Sequence, residues 1–103
     1  MRLLRLSSRA RADIAEAARW SEANWGRRQR VRYVTDLLER LAKLPARPRV
    51  GALYSPEHPG VRRLRIGAHL AFYRFDDERV LVICVLDQRM DLAAQLRRAL
   101  GDD

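Results

Sequence analysis

The sequence contains few of the residues that build disulfide-linked, metal-binding or membrane proteins. One cysteine, Cys84, is present among 103 residues, which excludes an intramolecular disulfide and a cysteine-rich metal site. His58 and His69 are the two histidines, and their spacing matches no common metal-ligand pattern. Apolar runs fall well short of the ~20 residues that a membrane-spanning helix needs. These absences predict a protein without a disulfide, a resident metal ion or a membrane anchor.

Signatures of phosphate binding and nucleophilic catalysis are missing as well. Gly51, Gly60 and Gly67 are isolated from one another, so the chain has no glycine-rich phosphate loop. Ser7 and Ser8 precede a predicted helix, which is a context for helix capping rather than for a nucleophile. The basic N-terminal segment lacks the long apolar core of a signal peptide. We therefore expect a bacterial-type cytoplasmic protein that needs no cofactor.

Positive charge is abundant in this chain, and arginine supplies nearly all of it. Lys and Arg total 21 against 13 Asp and Glu, which gives a formal net charge of +8, and Lys43 is the single lysine. The guanidinium group presents a planar fork of donors that matches phosphates and carboxylates. The excess is consistent either with a GC-rich genome or with an acidic partner, nucleic acid or protein. A hydrophobic content of 48% favours a globular chain, and the length predicts one domain over residues 1–103.

Three apolar segments in the second half of the chain predict the sheet on which the remainder packs. In the first segment, Leu64 and Ile66 alternate with Arg63 and Arg65, and this two-residue period is typical of a half-buried strand. Gly67 supplies the reversal into a second strand, Leu70 to Phe75, and an acidic turn leads to a third, Val80 to Leu86. Because this third segment is apolar at every position, we expect a central strand buried on both faces.

Two helices precede this sheet. The first begins after Ser7 or Ser8, either of which can cap it, and Gly26 ends it. Its apolar stripe comprises Ile14, Ala17, Ala18, Ser21 and Trp25. The second helix ends before Pro45, and its stripe comprises Val31, Val34, Leu37, Leu38, Leu41 and Leu44. The short link predicts an antiparallel helical hairpin whose stripes, through Ile14 and Leu38, cover one face of the sheet.

Shorter elements complete the predicted fold. Leu3 to Leu6 form an N-terminal strand, and the proline-rich link after the hairpin contains an extended piece near Val50 to Tyr54. Asp91 can cap a C-terminal helix over Leu92 to Leu100. The expected class is α+β: an N-terminal strand, an antiparallel helical hairpin, an antiparallel β-meander and a short C-terminal helix.

A series of residues along nearly the whole chain carries a family resemblance. The series comprises Leu6-Ser7, Ala10, Asp13-Ile14, Trp25-Gly26, Tyr33, Leu41, Leu44, Pro45, Pro59-Gly60-Val61-Arg62-Arg63-Leu64, Gly67, His69, Phe72-Tyr73-Arg74, Val85-Leu86 and Met90-Asp91. In this order the chain resembles the ParE toxins of the RelE/ParE superfamily. The resemblance implies a RelE/ParE-like fold in which the first strand lies beside the last.

The resemblance also implies a toxin of a type II toxin–antitoxin system, and the superfamily offers two activities. ParE-like members bind DNA gyrase and stall it on cleaved DNA, whereas RelE-like members are ribosome-dependent mRNA endonucleases. A ParD-like antitoxin is implied too, with a segment that folds onto the toxin in a hetero-oligomer. An acidic, initially disordered segment suits a toxin of this charge.

Proton-transfer groups decide between the two activities. RNA cleavage through the 2′-hydroxyl needs a general base and a general acid as well as cations on the phosphate. After Tyr73 the sequence has neither His nor Tyr, and Asp87 stands where relatives often have His. Arg65 and Arg89 could contact phosphate, but guanidinium groups are not bases at neutral pH. We therefore predict a gyrase inhibitor with no catalytic residues, and the mRNA endonuclease is the alternative.

Arginine and tryptophan are the expected target-binding residues, since both often anchor protein interfaces. The candidates are Arg63, Arg65, Arg74, Arg89, Trp20 and Trp25. Trp20 and Trp25 lie about 140° apart around a helix, so either one is exposed or both edge the core, and the second interpretation is slightly favoured. The further motif positions are Arg62, Leu64, Gly67, His69, Tyr73, Asp87 and Met90.

A plain nucleic-acid-binding module is a third possibility. His69, Ala71, Tyr73 and Phe75 share one side of a strand, and single-stranded nucleic acid is bound by aromatic side chains interleaved with cations. Core packing of Tyr73 and Phe75 is the favoured interpretation of this pattern.

Overall fold

The computed structural model describes residues 2–101, which form one five-stranded sheet with helices on both faces. The elements are β1 (Leu3–Leu6), α1 (Ser8–Trp25), α2 (Arg27–Ala42), β2 (Ala52–Leu53), β3 (Arg62–Ile66), β4 (His69–Phe75), β5 (Arg79–Asp87) and α3 (Leu92–Gly101). The strand order is β1-β5-β4-β3-β2, and every neighbouring pair is antiparallel except β1 with β5. The predicted α+β class and the position of the first strand beside the last are confirmed.

The sheet buries apolar side chains on both of its faces. One face, here called the hairpin face, packs Ala71, Tyr73 and Val82 against Leu37 and Leu41 of α2. The opposite face, here called the α3 face, packs its apolar residues against α3; these are Phe72, Ile83, Cys84 and Leu86, with Leu96 and Ala99 of the helix. Because both faces of β5 are covered, its sequence is apolar almost throughout, as expected.

A β-bulge in β5 sets which of its side chains point to which face. Tyr73 lies opposite Val82, whereas Phe72 lies opposite Cys84, so Ile83 is the extra residue. The strict alternation of a strand is therefore broken, and the neighbours Ile83 and Cys84 both pack on the α3 face.

Helix α1 begins and ends as the sequence predicts. The Ser7 side chain accepts a hydrogen bond from the backbone N–H of Ala10, and Gly26, at φ +90°, ends the helix. Ala17, Ala18 and Ser21 are buried on its inner side. These small side chains let α1 approach its neighbours closely.

Helix α2 and the turn after it bury only part of the predicted apolar stripe. Leu37, Leu41 and Leu44 are fully buried, but Leu38 is 43% exposed and Val31 62% exposed. Leu38 was therefore wrongly predicted to face the sheet. Residues three and four apart both satisfy helical spacing, so the apolar pattern alone left two overlapping stripes. The buried stripe begins at Tyr33, four residues before Leu37.

The side chains of Ser7, which caps α1, and of Asp13 complete the edge of β5 where β1 stops. Beyond the last β1 partner, the Ser7 hydroxyl donates to the carbonyl oxygen of Ile83 at 2.7 Å. The carboxylate of Asp13 accepts the backbone N–H of Val85 at 2.9 Å. These two side chains satisfy strand groups that a longer β1 would otherwise pair.

Arg9 ties this edge to both faces of the sheet. Its Nε donates to the Asp13 carboxylate at 2.9 Å, and its Nη2 donates to the Gln95 side-chain oxygen, also at 2.9 Å. Gln95 belongs to α3, so one guanidinium group connects the helices that cover opposite faces.

None of the helices within residues 2–101 combines the length and apolarity required to cross a bilayer.

Tyr73 anchors the loop that leads from α2 into the sheet. Its hydroxyl donates to the Pro48 carbonyl at 2.7 Å and accepts the Gly51 N–H at 2.9 Å. A Cβ at Gly51 would lie 2.7 Å from that hydroxyl oxygen, so the close approach requires glycine. Arg62 donates to the Gly51 carbonyl at 2.8 Å. Tyr73 is thus a core residue, and its pKa is raised by burial.

Replacing Asp13 should measure what the completed edge contributes to stability. Asp13→Ala leaves the Val85 N–H without its acceptor and Arg9 without its carboxylate, so we expect a loss of about 2–3 kcal/mol in the free energy of unfolding. Asp13→Asn keeps an acceptor oxygen and should lose less. Urea denaturation monitored by tryptophan fluorescence gives these values. Asp36→Ala, at an exposed position of α2, is the control, and equal losses at both positions would contradict the assignment.

Ser21 offers a stabilising substitution. The residue is fully buried, and its hydroxyl oxygen finds no hydrogen-bond partner within residues 2–101. Ser21→Ala removes this desolvated group and introduces a better helix former, so stability should rise by about 1 kcal/mol. The same denaturation experiment tests it, with Ser8→Ala at an exposed position for comparison. A loss of stability would mean that the hydroxyl has a partner.

Candidate functional site

The helical hairpin and the sheet meet in a cluster of four rings, here called the aromatic cluster: Trp20, Trp25, Tyr33 and His69. Trp20 lies at its centre, with ring centroids 4.9 Å from Trp25, 5.6 Å from Tyr33 and 5.3 Å from His69. Trp25 is 54% exposed, whereas Trp20 is partly covered. The interpretation in which one tryptophan is at the surface is therefore correct. Trp20 and Tyr33 lie at similar distances in sequence from Gly26, the link between the helices. Contact between them is therefore expected in an antiparallel hairpin.

Tyr33 is the hydrogen-bonding centre of the cluster. Its hydroxyl lies 2.6 Å from His69 Nδ1, accepts the Ala68 N–H at 3.0 Å and lies 3.2 Å from the Ile66 carbonyl oxygen. The hydroxyl has one proton, so it donates either to Nδ1 or to the Ile66 carbonyl oxygen, and in the second case Nδ1 carries a proton and donates to the hydroxyl. Burial raises the pKa of Tyr33, which keeps the phenol protonated.

Gly67 makes room for this arrangement. It has φ +60°, and a Cβ there would lie 2.7 Å from the Tyr33 ring. Both facts require glycine at the turn between β3 and β4. The motif positions Gly67 and His69 therefore serve one residue, Tyr33, which lies 34 and 36 residues earlier in the chain.

Asp87 and Arg89 adjoin the cluster at the end of β5. Asp87 lies opposite His69 in the strand register, and Arg89 binds its carboxylate through Nε at 3.1 Å and Nη2 at 2.9 Å. These hydrogen bonds from Arg89 lower the pKa of Asp87 to about 2. The carboxylate stands where the resemblance led us to expect a histidine, and it is a fixed anion paired with Arg89. The Arg89 side chain is still 71% exposed.

The other predicted arginines lie on the opposite side of the sheet. Arg63, Arg65 and Arg74 are exposed, and their strand positions alternate with residues that face the hairpin. Arg63 lies over the Tyr54 ring at 5.8 Å, and Arg65 donates to the Gly67 carbonyl at 3.1 Å. The six target-binding candidates are thus divided between two surfaces. Trp20, Trp25 and Arg89 lie at the aromatic cluster, and three arginines lie on the α3 face.

The remaining motif positions have structural roles or are exposed. Arg62 lies over the Phe75 ring at 6.0 Å, and Leu64 packs against the core of the hairpin face. Met90, in the turn before α3, is 44% exposed. Cys84 is buried, which raises the pKa of its thiol to about 12 and leaves it protonated.

Tyr33 is the site residue that the sequence analysis did not place among the candidates. Its spacing to Leu37 and Leu41 was available as a signal, because all three lie on one side of α2. What the spacing could not reveal is that His69 would lie above it, since the two residues belong to different elements.

The cluster is a better binding surface than an acid–base centre. His69 is 4% exposed, and burial lowers its pKa, with smaller opposing effects from Asp87 and Asp13 and a further lowering by Arg89. Tyr33 occupies its Nδ1. Within residues 2–101 no set of three His, Cys, Asp or Glu side chains is grouped as a metal site requires. The cluster therefore presents an exposed indole and an exposed guanidinium group on a rigid support.

His69 should give the protein a measurable acid sensitivity. Its folded pKa is below the ordinary value near 6.5, so the unfolded chain binds a proton more readily than the folded chain. Stability is then fully present above about pH 6.5 and falls as the pH decreases towards the lowered pKa, by at most about 1.4 kcal/mol per pH unit. Asp87 acts in a separate window below about pH 4.

Urea denaturation between about pH 5 and 7.5 tests this behaviour. His69→Gln should remove most of the slope above about pH 5. An unchanged slope in His69→Gln would show that other groups cause it.

Comparison with known proteins agrees with this fold. Residues 4–92 match the family model described as ParE toxin of type II toxin–antitoxin system, parDE. Toxin ParE1 of Mycobacterium tuberculosis is 35% identical over 92 residues, covering 88% of this chain and 94% of that protein. Toxin ParE1 of Caulobacter vibrioides is 35% identical over 96 residues, covering 93% and 99%. Toxin ParE of Escherichia coli is 32% identical over 92 residues, covering 88% and 89%.

A solved structure described as the chromosomal ParDE TA system from P. aeruginosa has the same fold. It superposes with a TM-score of 0.73 at 22% identity, covering 84% of this chain and 96% of the other. The strand order, the helical hairpin and the sequence relatives lead to one conclusion. This chain belongs to the family of ParE toxins of type II toxin–antitoxin systems.

Proposed function

We propose that this ParE-family toxin inhibits DNA gyrase by binding the enzyme and stalling it on cleaved DNA, and that a ParD-like antitoxin neutralises it. Family membership and the names of its relatives support the toxin role. The gyrase target is inferred from the resemblance and from the chemistry of the aromatic cluster. The toxin would act in the bacterial cytoplasm, where gyrase and the chromosome are located.

The observation that carries the proposal is the hydrogen bonding of His69 and Asp87. A nuclease of the superfamily would need a free base and a free acid near its cations. His69 is buried with Nδ1 bound to Tyr33, and Asp87 is paired with Arg89 at a pKa of about 2. Both groups are engaged in holding the structure together. Inhibition by binding requires no proton transfer, so it suits this site better than RNA cleavage does.

The exposed part of the cluster supplies suitable interface anchors. Trp25 presents more than half of its surface, and Arg89 projects from the adjacent turn. Tryptophan and arginine are enriched among residues that dominate binding energy, because each buries a large area and retains directional donors. Tyr33 and Trp20 fix the position of Trp25 from behind, which limits the entropy lost on binding.

A groove between α2 and the β3–β4 turn suits the antitoxin. It has a volume of about 370 Å³, and its charged lining residues are the cations Arg40 and Lys43 together with the acids Asp36 and Glu39. A second groove of about 260 Å³ continues past Arg40 and Lys43 to Arg47. An acidic segment that folds on binding would be attracted by these cations. ParD is named with ParE in the family description and in the related structure, which supports such a partner.

A cleavage-complex assay tests the proposed target. Purified gyrase, supercoiled plasmid and the toxin should yield linear DNA after detergent and protease treatment, and excess antitoxin should abolish it. Trp25→Ala should weaken the effect by about thirtyfold in toxin concentration, as expected for the loss of an anchor worth about 2 kcal/mol. Leu53→Ala removes an equally exposed apolar side chain from β2 and should have little effect.

Primer extension on translated mRNA tests the alternative in the same preparation. We expect no toxin-dependent cuts. Codon-positioned cuts that Arg89→Ala abolishes would favour the mRNA endonuclease, and the absence of any effect of the unmutated toxin on gyrase would overturn the proposed target.

A further inference from the structure

The net positive charge of the chain is distributed unevenly between the two sides of the sheet. Helices α1 and α2 carry acids among their arginines, including Asp13, Glu16, Glu22, Asp36 and Glu39. On the α3 face, by contrast, every charged residue that the strands and α3 contribute is an arginine. These exposed residues, here called the arginine face, are Arg5, Arg63, Arg65, Arg74, Arg79, Arg97 and Arg98.

The strand register places these arginines on one side. Arg5 lies opposite Leu81, and Arg74 also lies opposite Leu81 from the other neighbouring strand, so all three point away from the hairpin. Arg63 and Arg65 lie opposite Phe72 and Leu70, whose side chains pack with α3. The acids nearest to this face within residues 2–101 lie in turns, at Glu57, at Asp76 to Glu78 and at Asp91.

The dimensions of the arginine face match a large, regular polyanion. Arg63 and Arg65 are two residues apart on one strand, a separation of about 6.7 Å. Arg5 on β1 and Arg63 on β3 are three strand spacings apart, about 14 Å, and two residues apart along the strands, so their backbones lie about 16 Å from each other. This separation is somewhat larger than the ~12 Å width of the DNA major groove. Because the strands are hydrogen-bonded into one sheet, these positions are held in a fixed pattern before any ligand arrives.

From this we propose that the arginine face binds the phosphate backbone of duplex DNA. The inference rests on the proposed function, in which the bound duplex is the DNA segment held by gyrase. The toxin would then contact both parts of the enzyme–DNA complex: the protein through the aromatic cluster and the DNA through the opposite side of the sheet. Binding on this face is sequence-independent, since phosphate contacts position a protein without reading bases.

Duplex DNA fits the face better than single-stranded nucleic acid does. Single strands are bound by exposed aromatic rings on which the bases stack. Among residues 2–101 the one exposed aromatic side chain is Trp25, which lies at the hairpin rather than on this face. Tyr54 is half-buried, with its ring edge-to-face against Phe72 at 5.0 Å and Arg63 above it. The face offers guanidinium groups and no stacking platform.

Fluorescence anisotropy with a labelled duplex of about two helical turns (~20 bp) and the purified full-length toxin tests this directly, without gyrase. The affinity should fall steeply between about 50 and 200 mM salt, because each phosphate contact contributes about 0.9 to the slope of log K against log salt. The triple variant Arg63→Gln/Arg65→Gln/Arg74→Gln should bind at least tenfold more weakly at about 0.1 M salt, with a slope shallower by about 2 to 3.

A matched variant removes the same charge from the hairpin. Arg19→Gln/Arg28→Gln/Arg32→Gln changes three exposed arginines of α1 and α2 and should reduce the affinity less than about threefold. Circular dichroism and denaturation midpoints confirm that both triple variants are folded. Equal weakening of both would show that net charge alone binds DNA, and no measurable binding by the unmutated toxin at about 50 mM salt would overturn the proposal.

Competitors identify the class of partner. Unlabelled duplex should displace the probe more effectively than single-stranded RNA or poly-glutamate at equal charge; preference for either of the latter would overturn the assignment to duplex DNA. The cleavage-complex assay separates this inference from the proposed function. If the unmutated toxin stalls gyrase but the Arg63/Arg65/Arg74 variant does so equally well, the DNA contact is wrong and the gyrase target stands. If the toxin binds DNA through this face but leaves gyrase unaffected, the target is wrong and the DNA surface stands.

Discussion

The hydrogen bond from the Val85 N–H to the Asp13 carboxylate is the contact on which the arrangement of the other elements depends. β1 stops at Leu6 while β5 continues to Asp87, so the exposed edge of β5 beyond Leu6 needs other partners. Side chains of α1 supply them, which fixes the helix at the edge of the sheet at one height and one angle. The link between the helices is a single residue, Gly26, so the position of α1 also determines where α2 lies on the sheet. Tyr33 then lies over the β3–β4 turn, where it binds His69.

The family motif has a physical explanation in these contacts. Its opening residues, Ser7 and Asp13, form hydrogen bonds with the backbone of β5. Its Gly67 leaves space for the Tyr33 ring, and its His69 forms a hydrogen bond with the Tyr33 hydroxyl. The hydrogen bond from the Gly51 N–H to the Tyr73 hydroxyl holds the loop that returns the chain to the sheet. A residue type is required at each position because a backbone group would be left without a partner or a ring would collide. Most motif positions therefore maintain the fold, and few side chains remain available for chemistry.

The two sides of the sheet present contrasting surfaces. The hairpin side combines an exposed tryptophan with one groove of mixed charge and one basic groove, which suits protein partners. The α3 side presents arginine and little exposed aromatic surface, which suits phosphate. Under the proposed function, the toxin would contact an enzyme and its DNA at once. A sheet covered differently on its two faces offers two distinct surfaces within about one hundred residues.

Local pattern in the sequence determined the elements: alternation with arginine gave β3, the continuous apolar run gave β5, and Ser7 and Gly26 gave the limits of α1. Where two patterns competed, as with Leu37 and Leu38, the sequence could not decide, because both residues satisfy helical spacing and only contact with the sheet selects one. The pairing of Tyr33 with His69, and the division of the arginines from the tryptophans, were decided by the tertiary structure. Tyr33 and His69 are 36 positions apart, and their proximity follows from how α2 packs over the β3–β4 turn. The bulge at Ile83 sets which residues of β5 lie opposite those of β4, and side-chain periodicity does not encode it.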